Sequence, residues 1–326
     1  MRATSFRCFA AAVPLVAVLV GCTAESSPSG CTGSFPADHV VNSRVDALPV
    51  SVFSDAWLGR LAATSGRSMS GPGASSFVFD GSRAGIPRNT ASIGPVVTLF
   101  DPVTGVNGSF MLPQPDPPRI EGEPNPFGAF DHHYVVTDTV QCRLVETIGY
   151  NALTSTVTGA SVWNLNSYDA ATRPVADAPP AEAARLPISP MVFTYDEVAS
   201  GRIAHALRMT ASSVSPAAVW PASTSDGRDA DPAAIPMGAH LRLRAGTDLS
   251  ALGPAARVVA TAMKEYGMVL ADSTVSGWSP TGSPDERWDD ADLGTLRSLT
   301  LDQFEVVDPI AAQANPFVVS LKATNG

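Results

Sequence analysis

Three short stretches carry the side chains best suited to chemistry. The first is Phe130-Asp131-His132-His133-Tyr134-Val135-Val136. If it is extended, period-two alternation puts Asp131 and His133 on one face and His132 on the other. A carboxylate beside an imidazole can orient the ring for general-base work. The same alternation keeps the adjacent histidines from easily sharing a metal. The plainer reading is a strand-edge histidine bonded to a loop. The second stretch runs from Tyr195-Asp196-Glu197 to Ile203-Ala204-His205-Ala206-Leu207-Arg208. His205 shares a face with Leu207 and Met209, as a satisfied core histidine would. Glu197 is a candidate catalytic carboxylate, and Asp196 and Glu197 equally suit the start of a turn or the cap of a helical turn.

The third stretch holds Asp272, Trp278, Asp285, Arg287, Trp288, Asp289 and Asp290. Indole faces pack on the C–H surfaces of sugars, and carboxylates bind hydroxyls or act as acid and base. Trp278, Trp288 and the more distant Trp220 are therefore the candidate ligand-binding aromatics. Asp131, His133, Glu197, His205, Asp272 and Asp285 are the candidate catalytic set. Against this, Asp289 or Asp290 can cap a helix beginning near Ala291, and Trp288 can be core. The acidic spacing is not that of a calcium-binding helix–loop–helix. Five histidines without clustered spacing make a poor ligand set, so no metal and no cofactor are expected. None of the common hydrolase, phosphate-loop, dinucleotide or dithiol motifs occurs.

The N-terminus is more specific. Arg2 and Arg7 precede an apolar run from Cys8 to Val20, broken only by Pro14, and no acidic residue comes before Glu25. As a helix this run would reach only about 20 Å, short of the ~30 Å hydrocarbon core. It reads as a signal segment rather than a permanent span. It ends Leu19-Val20-Gly21-Cys22, which resembles the bacterial lipobox. That resemblance implies cleavage before Cys22 and a diacylglycerol on its thiol. The expected organisation is a signal peptide over 1–21, a flexible tether over 22–33, and one β-rich extracytoplasmic domain over 34–326. The expected partner is the bilayer, reached through the Cys22 lipid chains at the outer face of the cell membrane.

Loss of the leader leaves 19 basic residues against 31 acidic ones, so electrostatic binding to nucleic acid or anionic lipid is excluded. With Cys8 removed and Cys22 lipidated, Cys31 and Cys142 remain. An even pair in an oxidising compartment favours a disulfide over two independent thiols.

Short β-branched and aromatic segments recur between Asp/Gly/Pro/Asn clusters. They are 76–80, 96–100, 133–137, 141–147, 161–165, 192–195, 203–210, 240–245 and 268–271. This predicts a mainly β fold, an antiparallel sandwich or jelly-roll-like domain with few short helices. One amphipathic helix is predicted near 254–266. Pro254 starts it, Val258, Val259, Ala262, Met263 and Tyr266 form its stripe, and Gly267 stops it. Shorter helices are predicted at 54–64, 181–185 and 291–299.

Several stretches, among them Phe35-Pro36-Ala37-Asp38, Tyr195 to His205, Trp220-Pro221-Ala222 and Lys264 to Asp272, resemble a family of secreted bacterial proteins of uncharacterised function. Its members carry Trp-Pro-Ala-Arg-His where this chain has Trp220-Pro221-Ala222-Ser223-Thr224. They carry Ala-Asp-Asn-Gly where it has Ala271-Asp272-Ser273-Thr274. The resemblance implies export and a shared fold, with no assigned reaction. Two functions fit these observations. One is glycan hydrolysis, cleavage or binding at the envelope, with a polysaccharide as ligand. The other is a non-catalytic envelope protein that binds a protein or polymer.

Overall fold

Gly253 and Pro254 open the helix that the sequence marks most clearly, and the structure shows why it begins there. The computed structural model describes residues 31–69, 81–122 and 131–315. Its helices are α1 (Ser54–Ser65), α2 (Tyr195–Ala199), α3 (Pro254–Glu265), α4 (Asp290–Leu293) and α5 (Pro309–Gln313). Pro254 is pre-set for the first helical turn and has no N–H to satisfy. The next two donors, the N–H groups of Ala255 and Ala256, give to the Asp292 carboxylate of α4 at 2.9 and 3.0 Å. Ala256, Val259, Ala260 and Met263 form the buried face of α3. Gly267 ends it at φ +70, with its Cα so close to strand backbone that a Cβ would stand 2.6 Å from the Leu241 carbonyl oxygen. Glycine is required there on both counts.

The strands are β1 (Arg88–Thr90), β2 (Val96–Phe100), β3 (Asn107–Met111), β4 (Tyr134–Asp138), β5 (Arg143–Ile148), β6 (Thr156–Val157), β7 (Gly159–Asn164), β8 (Leu207–Ala211), β9 (Val214–Ala218), β10 (Ile235–Met237), β11 (His240–Leu243), β12 (Met268–Ser273), β13 (Trp278–Pro280) and β14 (Phe304–Val306). They pair in four sheets, ordered β1-β4-β5-β7, β3-β2-β6, β10-β9 and β13-β8-β12-β11-β14. The β-rich expectation holds, but the pairing is mixed rather than wholly antiparallel. β1 runs parallel to β4, β6 to β2, β9 to β10 and β8 to β12. The long connection from β8 to β12 contains β9, β10, β11 and α3, so no simple strand–helix–strand unit shows in the sequence.

One large apolar core joins Leu144 and Trp163 of the first sheet to Leu207, Met209, Leu241 and Leu270 of the five-stranded sheet. α1 adds Trp57, Leu58 and Leu61, and α3 adds Val259 and Met263. A second core joins Val97 and Leu99 to Tyr134, Val136 and Val145. The described residues from Cys31 onward belong to one compact unit. Cys31 and Cys142 form a disulfide across 111 residues of chain. No helix among the described residues is long and apolar enough to cross a membrane.

Three predicted elements differ. Residues 192–195 are not a strand beyond a single bridge from Phe193 to Gly282. Thr194 instead caps α2: its hydroxyl accepts from the Glu197 N–H, and the Glu197 carboxylate accepts from the Thr194 N–H. This reciprocal cap outweighs the β propensity of Val-Phe-Thr-Tyr. Residues 181–185 form turns rather than a helix, because their donors are engaged elsewhere. Ala181 N–H gives to the Ser161 hydroxyl and Ala184 N–H to the Ala271 carbonyl. The expected 291–299 helix divides into α4 and a 3-10 segment over Gly294–Ser298. The expected strand at 76–80, the signal segment and Cys22 lie outside the described residues.

Candidate functional site

The approach to β4 is not extended, contrary to the alternation argument. His132 has φ +50, and the carbonyls of Asp131 and His132 accept from Gly149 and Tyr150 before the β4–β5 ladder starts. His133 is nonetheless buried beside Asp131, which is exposed. From the other sheet, β12 carries a register shift between Leu270 and Asp272. Such a bulge re-aims the following side chain. The outcome is that Asp131, His133 and Asp272 each place one oxygen or nitrogen within 4.8 Å of the other two. The sequence offered no metal-ligand spacing, and the fold assembles a histidine and two carboxylates all the same.

Charged groups surround this trio. The Glu121 carboxylate accepts from the His133 N–H at 3.1 Å and lies 2.7 Å from His133 Nδ1. His133 Nε2 faces the Ala181 carbonyl oxygen at 3.2 Å. Arg208 of β8 donates through Nε and Nη2 to Glu182 at 2.8 and 3.2 Å, through Nη2 to Asp272 at 2.7 Å, and through Nη1 to Thr281 at 2.9 Å. Burial disfavours an imidazolium at His133, but the Glu121 charge and hydrogen bond outweigh it and raise its pKa to about 9. Burial pushes Glu182 up to about 8 against the pull of Arg208, with Asp272 adding to the rise. Burial also raises Asp272, and the Arg208 charge opposes it. One arginine is thus shared by two acidic side chains.

Glu146 is a related buried acid without a cation in contact. Its oxygens accept from the N–H groups of Ile188 and Ser189 and from Trp163 Nε1, at 2.7–3.1 Å. Burial outweighs these three donors and lifts its pKa to about 7. An acid raised by folding costs stability in its ionised form. The cost is absent below the unfolded value near 4.5 and complete above 7. Relative to Glu146→Gln, the wild-type chain should therefore lose about 3 kcal/mol of unfolding free energy between pH 4.5 and 7, and nothing further above, at ~1.4 kcal/mol per pKa unit. Urea titrations of both proteins across that range measure the difference; a flat difference would contradict the shift.

The other candidates fall elsewhere in the contact network. Glu197 and His205 pair with each other, Oε1 to Nε2 at 3.2 Å. Burial alone would raise Glu197, but His205, Thr194 and Arg88 hold it down to about 2. A carboxylate so stabilised as an anion is a weak general base. Asp285 is held by Arg287 at 2.6–2.8 Å; Arg287 also reaches Asp196 and lies over the Tyr195 ring.

The aromatic platform is not formed by the tryptophans. Trp278 is 1% exposed, gives its N–H to the Gly66 carbonyl and packs edge-on against Phe304. Trp288 is 6% exposed, gives its N–H to the Ser283 carbonyl and packs against Phe193 and Tyr195. Trp220 is half-buried among Val45, Val307 and Ala312. Their size and apolar neighbours drew them into the cores. A groove of about 250 Å³ lined by Asp55, Leu58, Arg67, Arg244, Asp302 and Phe304 contains none of the six candidates.

Sequence reasoning missed Glu121, Glu146, Glu182 and Arg208. One signal was available: Glu146 in Arg-Leu-Val-Glu-Thr-Ile and Arg208 in Leu-Arg-Met-Thr are lone charges inside apolar strand segments. Ser223 and Thr224 bond to the chain next to Glu182, and Ser273 follows Asp272. Ser223 N–H gives to the Ala184 carbonyl, the Thr224 hydroxyl to the Ala183 carbonyl, and the Ser273 hydroxyl to Asp226. No family model, no curated protein and no solved structure matches the chain.

Proposed function

We propose that this chain is an extracytoplasmic lipoprotein, anchored through lipid on Cys22, which binds and acts on a hydroxyl-rich ligand, a glycan of the cell envelope, at Asp131, His133 and Asp272. The anchor rests on the basic start, the short apolar run and the Leu19-Val20-Gly21-Cys22 ending. In this reading the first sheet and the five-stranded sheet are the two layers of a sandwich-like body, with the charged cluster near its rim. The observation that carries the site is the pairing of an exposed carboxylate, Asp131, with a desolvated one, Asp272, beside a charged histidine. Burial favours the protonated form of Asp272, and acid–base work on a glycosidic bond requires a carboxyl that holds a proton beside a second carboxylate.

A non-catalytic envelope protein that binds a polymer is the second reading. It is favoured by the internal pairing of Glu121 with His133 and of Arg208 with Glu182 and Asp272. The mature chain and Asp131→Asn are compared on a glycan array and in a reducing-end release assay. Loss of binding by at least about tenfold, with an unchanged unfolding midpoint, supports the site. Binding without product release selects the second reading, and no glycan binding by the wild-type chain overturns the first. Separately, Cys22→Ser should move the protein from the membrane fraction to the soluble one.

A further inference from the structure

We propose that Asp131, His133, Asp272 and the carbonyl oxygen of Ala181 form a binding site for one divalent transition-metal ion of the Zn²⁺ or Mn²⁺ kind. The proposal does not rest on the glycan reading. Its first support is convergence: the segment before β4 and the bulged β12 bring two carboxylates and an imidazole within 4.8 Å of one another.

The second support is the orientation of His133. One Glu121 oxygen accepts from the His133 backbone N–H and lies 2.7 Å from Nδ1. A carboxylate on one ring nitrogen is the usual partner of a metal-bound histidine, because it fixes the ring and leaves the other nitrogen as ligand. With Nδ1 bonded to Glu121, Nε2 faces the Ala181 carbonyl oxygen at 3.2 Å. In the protonated ring Nε2 donates to that oxygen, and a cation bound between the two would take that proton's place. Zinc–nitrogen and zinc–oxygen bonds of about 2.0–2.2 Å at near-tetrahedral or right angles put adjacent ligand atoms roughly 3 Å apart. A separation of 3.2 Å suits either a hydrogen bond or two ligands of one metal.

The third support is charge. The acidic side chains of the cluster, Asp131, Asp272, Glu121 and Glu182, outnumber the basic ones, Arg208 and His133. A divalent cation offsets that surplus. Asp272 accepts from Arg208 at Oδ2 and from the Ser273 N–H at Oδ1, which leaves each oxygen a further lone pair. Exposed Asp131 gives the ion a path from solvent. One nitrogen among oxygen ligands, with no thiolate, suits Mn²⁺ or Zn²⁺ better than Ca²⁺ or Mg²⁺, which prefer oxygen alone.

The test is calorimetric titration of the full mature chain, stripped with EDTA, with ZnCl₂, MnCl₂ and CaCl₂ in the absence of any glycan. The expected result is about one equivalent of Zn²⁺ or Mn²⁺ bound, with Asp131→Asn and Asp272→Asn each weakening it by roughly ten- to a hundredfold. Asp248→Asn, on a separate surface loop, should leave binding unchanged. Asp131 is exposed, so its variant folds. No binding at metal concentrations up to about 1 mM, or equal affinity in Asp131→Asn, overturns the proposal. So does nitrogen-15 NMR showing that His133 Nε2 keeps its proton in saturating metal, since the proton alone then accounts for the contact.

Discussion

At pH 9, above the value of about 8 at Glu182, Arg208→Met should destabilise the chain by about 3–5 kcal/mol, the range found when one partner of a buried ion pair is removed. The effect comes from what is left behind. The Glu182 side chain is 1% exposed and receives both of its guanidinium hydrogen bonds from Arg208. The Asp272 side chain is 12% exposed and keeps the Ser273 N–H, so it regains water more easily. Most of the loss therefore resides at Glu182. Arg208→Met combined with Glu182→Leu should recover the larger part of it, because the stranded charge has gone. Urea unfolding of the two single variants and the double variant gives the coupling directly. A loss under about 1 kcal/mol for Arg208→Met at pH 9 would mean that Glu182 is neutral in the folded chain even there. The single variant's loss should also shrink as the pH falls through 8, where Glu182 takes up a proton and no longer needs the cation.

The elements most legible in the sequence were those whose stabilisation is local. α3 was readable because its proline start, its apolar stripe and its glycine stop lie within one short segment. β2 was readable for the same reason: turn residues bound it closely on both sides. What stayed hidden was set by distant chain. The parallel pairing of β8 with β12 spans a connection full of other elements, and no local pattern encodes it. Residues 181–185 look helical in composition, yet β7 and β12 engage their backbone donors. α2 was legible in part, as a helical turn capped at Asp196 and Glu197, and Thr194-Tyr195-Asp196-Glu197 is the capping box that starts it.

The site followed the same division. Asp131, His133 and Asp272 were singled out by residue type and do converge. Glu197 with His205 and Asp285 with Arg287 were singled out on the same grounds and form ion pairs of their own. Residue type alone does not separate these cases. The difference is which segments the fold brings together, here β12 and the segment before β4. The buried acids Glu146 and Glu182 and the half-buried Glu121 carry no motif, because a carboxylate becomes informative only once its solvent has been reduced.

Replacing Cys142 with serine, together with Cys31→Ser, should cost about 2–5 kcal/mol. The bond closes a loop of 111 residues, near the upper end of what chain entropy gives to a single crosslink. Its structural role is narrower than that figure suggests. Beyond Cys31, the N-terminal segment is already held: Phe35 stacks on His39 and meets Trp163 edge-on, and Val40 and Val41 are buried in the main core. These contacts do not need the bond, so the folded state should change little without it. Most of the loss then belongs to the unfolded chain, which gains freedom when the loop opens. That assignment has its own signature. An unfolded chain free of the crosslink exposes more surface, so the dependence of unfolding free energy on urea should steepen in the serine variant while the native near-ultraviolet circular dichroism keeps its shape. If the slope stayed the same and the native spectrum changed instead, the bond would be holding the Cys31–Asn42 segment against the β4–β5 hairpin, and the entropy argument would be wrong for this protein.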